Sequence, residues 1–195
     1  MAREALKTLG SLRLVLDAQL EQLQAIKGIG PRNAFGLKLI HEVGRKFLQE
    51  RLIERDYLLS SRQVFEYLYH SMRDLKREVF KVLFLNSRNQ VLAVEDMFEG
   101  SLTSSAVYPR EVVQRALHHH ASTLVLAHNH ASGDPSPSRP DKKATRDLVF
   151  VAQVMGMRIL DHLIIGSNNE YFSFAESGLI KEYERLYMVA QEVGI

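Results

Sequence analysis

Apolar positions early in the chain recur at intervals of three and four: Leu12, Val15 and Leu16, then Leu20, Leu23 and Ile26, with no β-branched run among them. That spacing keeps one stripe of a helix turned toward a core, so residues 1–54 are expected to be helical throughout. The stretch KGIGPRNAFGLKLIHEVGRKF interrupts and restarts the pattern. Gly28 and Gly30 take positive φ cheaply, and Pro31 suits the first position of a new helix. RDYLLSS, residues 55–61, reads as the joint between two units, with Ser60 or Ser61 placed to cap a helix running to about Met72.

From Glu78 the pattern becomes that of strands. VFKVLFLN and QVLAVEDMF flank Asn86-Ser87-Arg88-Asn89, a turn of the kind that joins a hairpin. A helix from Pro109 through Leu117 follows, then the apolar strand STLVLAH and a helix from about Asp141 to Met155. The strand pair MRILDHLIIG and EYFSF comes next, and a last helix ends the chain. Strands and helices in this order predict an α/β fold, a mixed sheet flanked by helices, preceded by a small all-α module. The expected units are residues 1–58 and 59–195. No internal repeat or low-complexity segment is visible.

With 195 residues, 46% of them hydrophobic, the chain can fill one core and support a small helical module besides. It has no cysteine, which excludes disulfides, thiol nucleophiles and cysteine-based zinc fingers, and leaves His and carboxylates to hold any metal. No run of about 18 apolar residues and no leading apolar segment occurs, so no membrane partner is expected and the protein reads as soluble and cytoplasmic. The net charge of +2 is unevenly placed: residues 1–54 hold nine Lys/Arg against six Asp/Glu, the remainder 16 against 17. The basic excess is therefore amino-terminal and modest.

Candidate chemistry concentrates in LAHNHASGDPSPSRPD, Leu126 to Asp141. Side chains alternate across a strand, so His128 and His130 share a face and Asn129 points away. The Ser, Gly and Pro loop can turn the chain so that Asp141 returns beside them. Two His and one carboxylate leave a fourth tetrahedral position for water, and zinc there would lower that water's pKa to about 7. A second reading stands beside this one: Ser138 and Asp141 fit the S-x-x-D cap of a helix, with Pro140 in its first turn, so Asp141 would only satisfy amide groups. Spacing alone leaves both open.

Two other histidine sites carry less. In His118-His119-His120 consecutive side chains project about 100° apart on a helix, so three cannot chelate one ion well, and a helix end with favourable dipole contacts is expected. Asp161 and His162 face opposite sides of a strand, one of them either orienting a ligand or sitting as a satisfied core polar group. The contiguous letters HNH at 128–130 are unrelated to HNH endonucleases, whose residues are not adjacent.

His128, His130, Ser138 and Asp141 in the register HxHx7Sx2D form the signature of the JAMM (MPN+) metalloprotease fold, which is also cytidine-deaminase-like. From Glu78 to Gly166 the chain resembles the bacterial RadC family, in GSLTSSAVYPREVV, LAHNHASGDPSPSRPD and LDHLIIG above all. The resemblance implies one zinc ion per chain on His128, His130 and Asp141, Ser138 helping to hold a developing oxyanion, and Glu78 as general base. Residue reading without the family does not select Glu78 over Glu95, Glu99 or Glu111. Where the family commonly writes HNHPSG this chain has Ala131, which leaves the ligands in place and loosens the loop.

LQAIKGIGPRNAFGLKL resembles a helix-hairpin-helix, in which a GIG turn offers backbone amides to a nucleic-acid phosphate. Lys27, Gly28, Gly30 and Arg32 would make that sequence-independent, salt-sensitive contact with DNA. The same fold also mediates protein contacts. Family chains usually carry more helix before this point. The resemblance thus implies a zinc-dependent hydrolase acting on an amide or isopeptide bond of a protein or peptide. A DNA-repair label comes with the family name. The alternatives are a DNA-binding accessory protein whose metal site is structural or vestigial, and a metal-dependent nuclease.

Overall fold

A computed structural model describes residues 1–53, 61–73, 75–100 and 107–193. The chain divides into two compact units, Met1–Arg51 and Leu52–Ile195. The boundary expected at 58/59, the cap at Ser60 and the joint expected at 55–61, as far as residue 60, lie outside the described residues.

The first unit is helical: α1 (Ala2–Leu9), α2 (Leu12–Asp17), α3 (Leu20–Gln24) and α4 (Pro31–Glu50). Its core holds Val15, Leu23 and Ile26 of the expected stripe, joined by Ala5, Ala18, Ile29 and Ala34, whereas Leu12 and Leu20 of that stripe stay exposed. Gly28 adopts φ 90°, a left-handed conformation that glycine reaches without a Cβ clash, and Gly30 is the N-cap of α4 with Pro31 in its first turn.

In the second unit α5 (Ser61–Met72) precedes the strands β1 (Val79–Leu85) and β2 (Val91–Glu99), then α6 (Pro109–His118), β3 (Thr123–Asn129), α7 (Arg139–Val154), β4 (Arg158–Ile165), β5 (Tyr171–Ser173) and α8 (Leu179–Val193). The sheet order is β2-β1-β3-β4-β5, with β3 and β4 parallel and every other pair antiparallel. This is the mixed α/β sheet flanked by helices that the order of elements predicts. β1 and β3 are buried along their whole length. Their even-numbered residues, Phe80, Val82, Phe84, Leu124 and Leu126, pack with Val112 and Ala116 of α6, Leu148 and Val149 of α7, and Ile180 and Tyr183 of α8. Full burial of one such side chain contributes roughly 1.5–3 kcal/mol. α5 packs against β3 and β4.

Two expected elements differ in detail. Only Tyr171–Ser173 of EYFSF is strand; the chain then turns, the Ser177 amide donating to the Ser173 carbonyl at 3.1 Å, and Phe174 is fully buried and stacks on His162 with ring centroids 4.9 Å apart. α7 begins two residues early, at Arg139, because Ser138 is its N-cap. The turn at 86–89 forms as expected, with Asn89 at φ 57° and the Asn86 amide donating to the Gln90 carbonyl at 3.0 Å.

Candidate metal centre

The parallel pairing of β3 with β4 brings two carboxyl ends together, and the first turn of α7 lies over them. Strand alternation sends His128 to the α7 side after Leu124 and Leu126. The chain then stays beside β4 for one more residue, the His130 amide donating to the Ile165 carbonyl at 3.2 Å. The following loop bends at Gly133, φ 81°, and its Asp134 carbonyl accepts from His130 Nδ1 at 2.7 Å. It ends in a reciprocal cap: Ser138 Oγ accepts from the Asp141 amide at 3.2 Å, and Asp141 Oδ2 accepts from the Ser138 amide at 2.7 Å.

That cap and the metal reading, alternatives in the sequence, are combined in one carboxylate. Asp141 Oδ1 lies 3.3 Å from His128 Nε2 and Oδ2 lies 3.3 Å from His130 Nε2, while the two Nε2 atoms are 3.1 Å apart. Donors about 2.0–2.1 Å from a tetrahedral ion stand about 3.3 Å from one another, so the two nitrogens are spaced for neighbouring corners of such a site, and the carboxylate, with one oxygen beside each nitrogen, can supply the third, one ligand atom from each residue lying within 4.8 Å of the others. His130 Nδ1 faces a carbonyl and must donate to it, so in a neutral ring the Nε2 lone pair points into the cluster. These residues fit a metal ion: His128, His130 and Asp141 form the one group of three or more potential ligands found among the described residues. Nitrogen and carboxylate donors suit zinc, and also manganese, iron or cobalt.

The electrostatics follow from burial. His128 is 1% exposed, and loss of water pushes its pKa down although Asp141 pulls the other way. His130, with 13% of its side chain exposed, goes up because its bond to Asp141 outweighs the desolvation. Burial opposes ionisation of Asp141, yet the approach of the His128 and His130 rings and the bond from Ser138 together hold its carboxyl well below the usual carboxylate range. The charge of Glu78 also favours protonation of both histidines, which places it in their neighbourhood.

The antiparallel register explains that placement. Phe80 pairs with His128, and continuing two residues outward brings Glu78 level with His130. Asn129, on the opposite face of β3, grips the segment on both sides of Glu78: its Oδ1 accepts from the Val79 amide at 2.9 Å, and its Nδ2 donates to the Arg77 carbonyl at 3.1 Å. Of the rival glutamates, Glu95 is engaged by Arg115 and by His119, the latter at 2.7 Å. Glu99 pairs with Val79 on β2, which lies one strand further from the histidines of β3 than Glu78 does, and Glu111 lies in the first turn of α6.

His118 is the last residue of α6, His119 follows as its cap and His120 takes φ 53°, so the run ends a helix. Asp161 and His162 do face opposite ways. Asp161 accepts from the amides of His162 and Ala175 and from Ser173 Oγ, and burial raises its pKa. His162 turns toward the site, its Nε2 2.8 Å from His128 Nδ1, and burial holds its pKa far down. Thr145, which sequence reading passed over, contacts His162 Nδ1 at 2.7 Å. Its signal was the helical spacing Asp141-x3-Thr145, which puts both on one face of α7. In the first unit Lys27, Gly28, Gly30 and Arg32 are exposed around the turn into α4.

A mixed sheet that carries two histidines at the carboxyl end of a parallel strand, with an aspartate brought over them by the next helix, defines an α/β domain able to hold one metal ion. The chain belongs to the family described as the RadC-like JAB domain, whose model matches residues 58–179. It is similar to the UPF0758 protein of Paracidovorax citrulli, 44% identical over 171 residues, 88% of this chain and 72% of that one. It is likewise similar to the UPF0758 proteins of Trichlorobacter lovleyi, 40% identical over 181 residues covering 92% and 78%, and of Vibrio parahaemolyticus, 43% identical over 171 residues covering 88% and 76%. Among the described residues no helix is long and apolar enough to cross a membrane.

Proposed function

We propose that this protein is a zinc-dependent hydrolase of the JAMM type, cleaving an amide or isopeptide bond in a protein or peptide. The observation that carries the reading is the convergence of His128 Nε2 and His130 Nε2, 3.1 Å apart, on the Asp141 carboxylate, which sets one oxygen 3.3 Å from each, a three-ligand set that leaves one corner of a tetrahedral ion for a ligand from solution. Zinc bound there supplies a Lewis acid and lowers the pKa of water to about 7. Glu78, level with His130 on the neighbouring strand, takes the proton from the attacking water and returns it to the leaving nitrogen. Ser138 is exposed, and accepting a bond from the Asp141 amide leaves its hydroxyl proton able to donate to the developing oxyanion.

The test is Glu78→Gln in the full chain, assayed against peptides and lysine-linked isopeptides. The variant is expected to keep one zinc per chain and the wild-type fold while losing turnover about 10²–10⁴-fold. Turnover unchanged in that variant overturns the assignment of Glu78, and zinc-loaded wild type inert toward every amide class overturns the hydrolase. A second role, sequence-independent DNA binding by the first unit, is supported by the left-handed Gly28 with Lys27 and Arg32 exposed on either side of the turn.

A further inference from the structure

The hydrogen bonds behind His128 can be arranged in only one way. Thr145 Oγ1 lies 2.6 Å from the backbone carbonyl of Asp141. A carbonyl has no proton to give, so the threonine hydroxyl donates there, as threonine commonly does one turn back along a helix. The same oxygen is 2.7 Å from His162 Nδ1, and with its own proton already committed it accepts: the proton of that bond belongs to His162. A neutral imidazole carries one N–H, so His162 Nε2 is an acceptor. His128 Nδ1, 2.8 Å away, is then the donor. Neutral His128 has no proton left for Nε2, the nitrogen that faces His130 and Asp141.

We infer that Thr145 and His162 are positioning residues of the metal centre: together they lock His128 in its Nδ1–H tautomer and present its Nε2 lone pair to the ion. The inference rests on the reading of the cluster as a metal centre. The chain of bonds begins on the backbone of one ligand, Asp141, and ends on the ring of another, so it also ties the first turn of α7 to the end of β3. Both relay side chains are fully buried, 0% exposed, so water cannot substitute for either bond. Free histidine favours the opposite tautomer, and without the relay His128 would turn an N–H toward the ion. His162 was open to two readings in the sequence; it acts through His128 and touches neither the ion nor a substrate.

The test has two arms, both on the full chain. Metal-stripped protein labelled with ¹⁵N-histidine is examined at neutral pH by long-range proton–nitrogen NMR, with signals assigned from His128→Gln and His162→Gln. Both rings are expected to be protonated on Nδ1 alone; His128 protonated on Nε2, or averaging between the two forms, overturns the inference. In the second arm zinc affinity is measured by chelator competition. Thr145→Val should bind about 10–100-fold more weakly, and Thr145→Ser, which restores the hydroxyl, should bind as the wild type does. A role in packing alone would leave the tautomer untouched, and equal affinity in Thr145→Val and wild type overturns the relay. Wild type that takes up no zinc but shows the ordered tautomers removes the metal centre and keeps the proton order; wild type that binds zinc with His128 protonated on Nε2 does the reverse.

Discussion

Replacing His130 by alanine removes one corner of a three-cornered site and leaves His128 and Asp141 behind. The donor atoms already stand 3.1–3.3 Å apart in the folded chain, so binding needs little rearrangement and its free energy should appear almost fully as added stability. At free zinc of about 100 times Kd a ligand that binds only the native state stabilises it by about 2.7 kcal/mol. At about 2–4 °C per kcal/mol for a domain of this size, the melting temperature should rise by about 5–11 °C. Loss of a ligand should weaken binding by at least about 100-fold, since loss of an outer-shell partner alone costs 10–100-fold. At the same zinc concentration the stabilisation then falls to about 0.4 kcal/mol, a shift of roughly 1 °C. The assay is thermal unfolding followed by circular dichroism with increasing zinc, for wild type, His130→Ala and His118→Ala. His118 lies exposed in the histidine run at the end of α6, so its variant should retain the wild-type shift. A shift in His130→Ala equal to that of wild type, or a shift lost in His118→Ala instead, refutes the assignment of the site.

Gly133→Ala should lower stability by about 1–2 kcal/mol or more, read from chemical denaturation, because the left-handed φ of 81° penalises a Cβ that would also sit 2.8 Å from Ser167 Oγ. An alanine variant as stable as wild type would mean the loop relaxes freely. Zinc affinity should depend on pH in a set direction. The raised pKa of His130 makes protons compete with the ion at higher pH than for an ordinary histidine, so affinity falls about tenfold per pH unit once pH drops below that pKa. In metal-free protein the sign differs by group: the stability from His130 is fully present below its unfolded pKa and is lost as pH rises through the folded one, whereas that from Asp141 is lost as pH falls. Affinity that begins to decline only well below the ordinary histidine range, in pH-dependent chelator competition, would contradict the His130–Asp141 pairing. Lys27→Glu with Arg32→Glu should abolish retention on DNA at low salt; retention equal to wild type would remove the first unit as the DNA contact.

The sequence by itself determined the elements and their class. Period-three-and-four spacing in residues 1–54 and the apolar runs around Phe84 and Val125 are local patterns, set by which faces must leave water; the structure buries the two runs throughout and the helical stripe in part, leaving Leu12 and Leu20 exposed. Strand alternation likewise put His128 and His130 on one side and Asn129 on the other. Three things were beyond it. Whether Asp141 caps a helix or meets the histidines is decided by the distance from α7 to β3, and the answer is both, because a carboxylate has two oxygens. The position of Glu78 beside His130 depends on which strand pairs with β3, in which direction and in what register, and only the family resemblance anticipated it. His162 and Thr145 meet His128 through a parallel crossover that joins residues 17 and 34 positions apart, separations that no local periodicity records. Hydrophobic patterning is a property of neighbours along the chain, whereas a metal centre is a meeting of chain segments, and it is the packing of α7 across β3 and β4 that settles where those segments meet.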